Sequence, residues 1–235
     1  RHFHDFVRYD YEHFNLLRIL PPEIQERFNN CLIGNKRKNE FKVKPTLAID
    51  QNLIELLGLY TAEGTAFVGK TNRVVFSFGA HEQDLIDYTA RLIEKVFSYK
   101  AQPHYTHDTA TTVQIDSLLV SLIFREIFKA GGNSHTKRIP NFVFIAAPTL
   151  RERYLIAYLA GDGYPSQEFI RHLSAGTSPD IDSRRKYNLG SASDELVNDL
   201  SYLLFSVGKT FSIGEKNKKR SGTIQLRYRG KTRET

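Results

Sequence analysis

At 235 residues, with 40% hydrophobic and 25% charged, the chain has ordinary globular composition and the length for one large domain or two small ones. Its longest apolar runs, such as LIELLGLY and LIAYLA, are too short to cross a bilayer, the N-terminus RHFHDFVRYDYEHF lacks a signal peptide's apolar centre, and one cysteine, Cys31, excludes an internal disulfide and argues against a zinc-thiolate site, so no membrane association and a cytoplasmic location are expected. The net charge is +7, and beyond Phe205 nine Lys/Arg face only Glu215 and Glu234, a balance whose natural partner is a polyanion such as nucleic acid and which a solvated basic tail would equally produce.

Residues 1–45 form an accessory segment. PPEIQERFNNCLIG reads as a helix opened by proline, and NKRKNEFKVK as a basic stretch, either a DNA contact or a solvated linker. The spacing then predicts a helix over Asn52–Glu63 and a hairpin in TAFVGKTNRVVFSFG. A helix in EQDLIDYTARLIEKVF follows, then a second hairpin in PHYTHDTATTVQID and a helix in SLLVSLIFREIFKAGG ended by glycine. GTAFVGKT (64–71) fits the Walker A spacing, but a phosphate loop follows a strand and opens a helix. This one follows a helix and opens a strand, so Lys70 and Thr71 read as turn residues. His2, His4, His104 and His107 lack companions at metal-ligand spacing and read as polar surface or nucleic-acid contacts.

The pattern then repeats. LLGLYTAEG (56–64) matches LIAYLAGDG (155–163), placing Glu63 on Asp162, 99 residues apart. FSFGAHEQDLID (76–87) matches YNLGSASDELVN (187–198), and VQI (113–115) matches IQL (224–226), both 111 residues apart. The difference is an insertion between Gly163 and Tyr187 with a loop-like centre, SAGTSPDIDS. SDELVNDLSYLLFSVG is the second repeat's middle helix, and KTFSIGEKNKKRSGTIQLRYRG its last hairpin. The repeats are expected to occupy 46–148 and 149–235, the second without the helix that would close it.

Gly58 and Ala62, like Ala157 and Gly161, lie four apart and share a helix face. Small residues so spaced let two helices approach closely, and the repeat predicts that these two pack on each other about a pseudo-twofold axis. Glu63 and Asp162 would then emerge side by side at helix C-termini, where the helix dipole opposes negative charge and the carboxylates repel. A divalent cation relieves both, and two carboxylates with phosphate oxygens suit Mg²⁺. Gly64 and Gly163 are expected to end the two helices and turn the chain.

These two motifs resemble the signature helices of the LAGLIDADG homing endonucleases. KRIP (137–140) is similar to a Lys-x-Ile-Pro segment that precedes the second motif in the intein-encoded members. The resemblance covers roughly residues 50–230. It implies an α+β fold of two αββαββα repeats packed through the motif helices, with antiparallel sheets forming a saddle on the DNA major groove. It implies Glu63 and Asp162 as catalytic metal ligands, Mg²⁺ as cofactor, and Lys137 as the lysine that polarises the attacking water or balances transition-state charge. No counterpart of Lys137 is visible in the second repeat. Strand alternation directs Arg73, Ser77, Thr112, Gln114, Thr223, Gln225, Arg227 and Arg229 outward, toward DNA on that reading. The function implied is site-specific double-strand cleavage by a monomer at a long asymmetric target. The alternative is a catalytically decayed DNA-binding protein or RNA maturase on the same scaffold. With no methionine in the chain, an excised intein endonuclease region is expected.

Overall fold

The computed structural model describes residues 22–27, 31–34, 41–107, 109–162, 171–173, 175, 177, 187–217 and 220–227. The chain divides into two compact units, Arg1–Leu47 and Ala48–Thr235. In the first, the proline-opened helix spans Pro22–Arg27 (α1), and Ile33 and Val43 form an antiparallel bridge.

The second unit begins with α2 (Gln51–Glu63), started by Asp50, whose side chain accepts from the Leu53 amide at 3.0 Å. Strands β1 (Gly64–Phe67) and β2 (Arg73–Gly79) follow, so the Walker-like stretch is a hairpin, with Lys70 and Thr71 between its strands. Next come α3 (Gln83–Phe97), β3 (Pro103–His107), β4 (Ala110–Ile115) and α4 (Leu118–Leu122), which continues into a π-helical turn over Ile123–Ile127. The short α5 (Asn141–Ile145) leads into α6 (Pro148–Gly161), opened by its proline. Then β5 (Tyr187–Gly190), α7 (Asp194–Ser206), β6 (Thr210–Asn217) and β7 (Arg220–Arg227) complete the described chain.

Both sheets are antiparallel, with orders β1-β2-β4-β3 and β5-β7-β6. The second reproduces the last three strands of the first, which is the internal repeat in three dimensions. Pairing corrects one equivalence. Gly79 faces Ala110 while Gly190 faces Thr223, so β4 and β7 correspond two residues away from the VQI/IQL match. Two residues is one strand period, so the assignment of faces survives the shift. On β2, Val74, Phe76 and Phe78 are buried, and on β4 Thr111, Val113 and Ile115.

One further expectation needs correction. The helix from Leu118 is closed not by glycine but by Lys129 in the left-handed region (φ 53°). The π turn causes this: Phe128 N–H reaches Ile123 O at 2.8 Å and Ala130 N–H reaches Phe124 O at 3.0 Å, so the chain must reverse at the residue between them. Gly64 ends α2 as expected, as its C-cap with an extended backbone (φ −86°, ψ 155°). Glycine is needed there for space: a side-chain carbon would run into the Tyr60 ring. Gly163, Tyr228, Arg229 and most of the insertion lie outside the described residues. Among the described residues, no helix is long and apolar enough to cross a membrane.

Candidate paired-acid site

Helices α2 and α6 form the centre of the second unit, each buried on nearly every side. Their crossing is as close as the small residues allow. A Cβ on Gly58 would stand 2.5 Å from the Tyr154 carbonyl oxygen and 2.8 Å from Ala157 Cβ. One on Gly161 would stand 2.6 Å from Ala62 Cβ. The Gly58–Ala157 and Gly161–Ala62 contacts join the same motif positions in the two repeats, third on third and seventh on seventh, which is the pairing a pseudo-twofold axis produces. Thr61 and Tyr154 share a hydroxyl hydrogen bond of 2.5 Å across the interface.

This crossing brings the acids together. Glu63 is the last residue of α2, and Asp162 caps α6 with its N–H on Tyr158 O at 3.0 Å. The space a Cβ on Gly161 would fill lies 3.4 Å from Glu63 Cγ, so the Glu63 side chain lies against the α6 terminus one residue before Asp162. Burial raises the Glu63 carboxyl from 4.5 to about 7; the Glu82 and Asp162 carboxylates push the same way, and Lys137 opposes them. Burial raises Asp162 from 3.8 to about 6, opposed by the Gly190 N–H, which donates to it.

Lys137 is 4% exposed, which settles it as interior rather than a surface lysine before a turn. Its Nζ donates to the Tyr60 carbonyl and lies 4.1 Å from the Tyr60 ring centroid. Burial lowers its ammonium to about 7, with Glu63 pulling it back up. The next residues fasten this segment to the second repeat. Arg138 Nε donates to Asp199 Oδ2 at 2.7 Å and Nη1 to Glu195 at 2.5 Å, while the Ile139 amide donates to Asp199 at 3.0 Å and Ser193 Oγ donates to the Lys137 carbonyl at 2.9 Å. Beneath Lys137, Tyr60 Oη donates to Gly131 O at 2.5 Å, and its ring packs on Phe124 at 4.5 Å.

Two carboxylates held at proton affinities near neutrality, with a buried ammonium beside one, form a set that a divalent cation fits, because it would replace the repulsion each acid meets. Among the described residues, no group of three or more acid, histidine or cysteine side chains has metal-ligating geometry, so the protein would contribute the pair and leave other positions to water or phosphate oxygen.

The outward face of the first sheet carries four of the expected DNA-reading residues. Val75 pairs with Gln114 and Ser77 with Thr112, which in turn faces His104, so Ser77, Thr112 and His104 form one row across three strands. Arg73 lies 3.5 Å from Gln114 Oε1 and 3.4 Å from Asp116 Oδ1. On the second sheet, Thr223, Gln225 and Arg227 occupy alternate positions of the central strand β7, facing Gly214, Ser212 and Thr210 of β6. The expectation for Arg229 falls outside the described residues.

Two residue sets were missed in the sequence. Glu82 reads as an ordinary acid in a helix's first turn, and its effect on Glu63 appears only in three dimensions. Glu55 and Arg153, 98 positions apart, form a buried ion pair across the motif helices, with Tyr88 donating to Glu55. Arg153 also donates to the carbonyls of His172, Leu173 and Thr177, which ties those three residues to α6.

The fold is shared with homing endonucleases. A mesophilic variant of the homing endonuclease I-DmoI superposes with a TM-score of 0.52 at 12% identity, covering 75% of this chain and 84% of that one. A second I-DmoI structure, in complex with its target DNA and with manganese, gives 0.50 at 12% identity over 75% of this chain and 86% of that one. No protein-family model matches the chain. Among characterised sequences, it is 26% identical over 203 residues to a DNA polymerase of Thermococcus hydrothermalis, covering 83% of this chain and 10% of that protein. It is 30% identical over 150 residues to the DNA polymerase II large subunit of Thermococcus kodakarensis (63% of this chain, 8% of that protein). It is likewise 30% identical over 125 residues to the replication factor C small subunit of Methanocaldococcus jannaschii (48% and 7%). The chain therefore spans a tenth or less of the length of each of these relatives.

Proposed function

We propose that this chain is a LAGLIDADG homing endonuclease of the two-motif, monomeric type, a Mg²⁺-dependent enzyme that cuts both strands of a long asymmetric DNA target. The observation that carries the reading is the convergence of Glu63, Asp162 and buried Lys137 at the end of a close helix crossing. Acids so placed cost the fold stability and are explained by what they bind. Glu63 and Asp162 would hold the cation. When bound, it supplies the charge that steadies the attacking and leaving oxygens of an in-line phosphodiester displacement. Lys137, poised near neutrality by burial, can take up the proton of an attacking water or balance charge at the phosphate. The outward sheet residues Arg73, Ser77, Thr112 and Gln114, with Thr223, Gln225, Arg227 and Arg229, would read the major groove.

The relatives support an intein setting. One segment matches a DNA polymerase, a polymerase II large subunit and a replication factor subunit, each over 7–10% of its length. A common short segment within proteins of different function is what an inserted element leaves behind.

The test is Mg²⁺-dependent cleavage of a plasmid library carrying randomised inserts and replication-gene inserts, run beside Asp162→Asn. Double-strand cuts lost in the variant are the expected result. Nicking alone would reduce the reading to one working half-site. Salt-sensitive binding without any cutting of a target-containing library would favour a DNA-binding protein that has lost catalysis.

A further inference from the structure

The outward face of the first sheet holds a carboxylate that contact with DNA phosphates does not explain. Arg73 pairs with Phe67 on one side, and because Val74 faces Ile115, the next step of the register sets Asp116 beside Arg73 on the other. The two side chains meet there, with Arg73 Nε 3.4 Å from Asp116 Oδ1. From the neighbouring row, Gln114 Nε2 donates to Asp116 Oδ2 at 3.2 Å, and Gln114 Oε1 accepts from Arg73 Nη1 at 3.5 Å. Three side chains thus close a ring on the outer face. The backbone beneath Asp116 is fixed as well. Its N–H donates to Tyr99 Oη at 3.3 Å, and the next residue, Ser117, caps α4 by accepting from the Val120 amide at 3.3 Å.

Stability does not account for the acid. Its side chain is 51% exposed and that of Arg73 39%, and ion pairs so open to water add little to a fold. Phosphate binding does not account for it either, because a carboxylate on a face that meets DNA repels the backbone. What a carboxylate offers on such a face is an acceptor for the N4 amino group of cytosine, as a guanidinium offers donors to O6 and N7 of guanine. Those two edges lie side by side in one base pair, and Arg73 and Asp116 lie side by side on one sheet face. The contacts within the ring are at the long end of hydrogen bonding, and a guanidinium has five donors. Both side chains therefore keep capacity for bases.

We propose that Asp116 is a specificity-determining residue, reading with Arg73 a single G·C base pair in the major groove, the acid on cytosine and the guanidinium on guanine. Gln114, bonded to both, holds the two in register. Thymine in place of cytosine would set its O4 acceptor against the carboxylate, so the acid discriminates by repulsion as well as by attraction. The inference rests on the reading of this chain as a site-specific DNA endonuclease and adds the identity of one base pair.

The test is selection of bound duplexes from a randomised DNA library by the full chain, in EDTA and again with Ca²⁺. Wild type, Asp116→Ala, Asp116→Asn and Arg73→Ala are compared by sequencing, with thermal unfolding followed in parallel. The wild-type consensus should contain a G·C pair whose enrichment falls about tenfold in both Asp116→Ala and Arg73→Ala. Asp116→Asn, whose amide can donate to thymine O4, should admit thymine at the cytosine position. Removing the carboxylate should also tighten binding to random-sequence duplex. All three variants are expected to melt close to the wild type. A purely structural Asp116 would leave the consensus unmoved. An unchanged consensus in both Asp116 variants, or Arg73→Ala and Asp116→Ala relaxing different base pairs, overturns this inference alone. Enrichment of no sequence by the wild type in either buffer overturns the site-specific reading and this inference with it. Failure of both Asp116 variants to fold would assign the acid to the scaffold and overturn the inference as well.

Discussion

Glu63→Gln should make the metal-free protein more stable at pH 8. Folding carries this carboxyl from 4.5 to about 7, so across that interval the folded protein holds a proton that the unfolded chain releases. Stability attributable to Glu63 therefore falls as the pH rises from 4.5 through 7, and the loss is complete above it. At about 1.4 kcal/mol per unit, the rise corresponds to roughly 3 kcal/mol at pH 8. Glutamine is neutral throughout and escapes this cost. Part of the gain is returned, because buried Lys137 loses the neighbouring charge that favours its ammonium. The net expectation is a gain of about 1–2 kcal/mol in urea unfolding with EDTA at pH 8, shrinking to nothing near pH 4.5. Saturating Mg²⁺ should stabilise the wild type and not the variant, reversing the order. A variant less stable than wild type in EDTA at pH 8 would refute the reasoning, since Glu63 would then be a carboxylate the fold relies on.

Gly58→Ala puts a carbon 2.5 Å from the Tyr154 carbonyl and forces the helices apart by about 1 Å. It should destabilise by about 1–3 kcal/mol despite alanine's better helix propensity, while Gly214→Ala, which points into open space, should be neutral in the same melts. Lys137→Met should lower cleavage at least about 100-fold while thermal unfolding shows the fold kept; near-normal cleavage would assign the role to another cation. Glu55→Gln leaves Arg153 buried with carbonyl partners only and should cost about 2–4 kcal/mol in urea unfolding, more than any exposed pair such as Arg73 with Asp116.

The motif helices were legible because two signals coincide: an apolar helical pattern, and small residues four apart matched in two places. That combination constrains packing as well as secondary structure, so the meeting of Glu63 and Asp162 followed from it. Strand faces were legible for a simpler reason: alternation survives the two-residue slip in the β4/β7 equivalence. What was hidden depended on long-range contacts. KRIP has the composition of a surface turn, and only the ring of Tyr60 and the clasp of Arg138 on Asp199 take Lys137 inside. Glu82 is indistinguishable by composition from a capping acid until its side chain is seen turned backward. Gly64 was legible as the end of α2, but the Tyr60 ring that leaves no room for a side chain there was not.

The clasp at 137–139 also limits how far the two halves can be treated as modules. Lys137 belongs by sequence to the first repeat, but its carbonyl, its neighbour's guanidinium and the next amide are held by Ser193, Glu195 and Asp199 of the second. A hybrid that joins this first half to a foreign second half would inherit the lysine without its mooring. Donor halves for such grafts are therefore to be chosen for an acid at the position of Asp199 and a hydroxyl at that of Ser193, as much as for the matching small residues along the helix crossing.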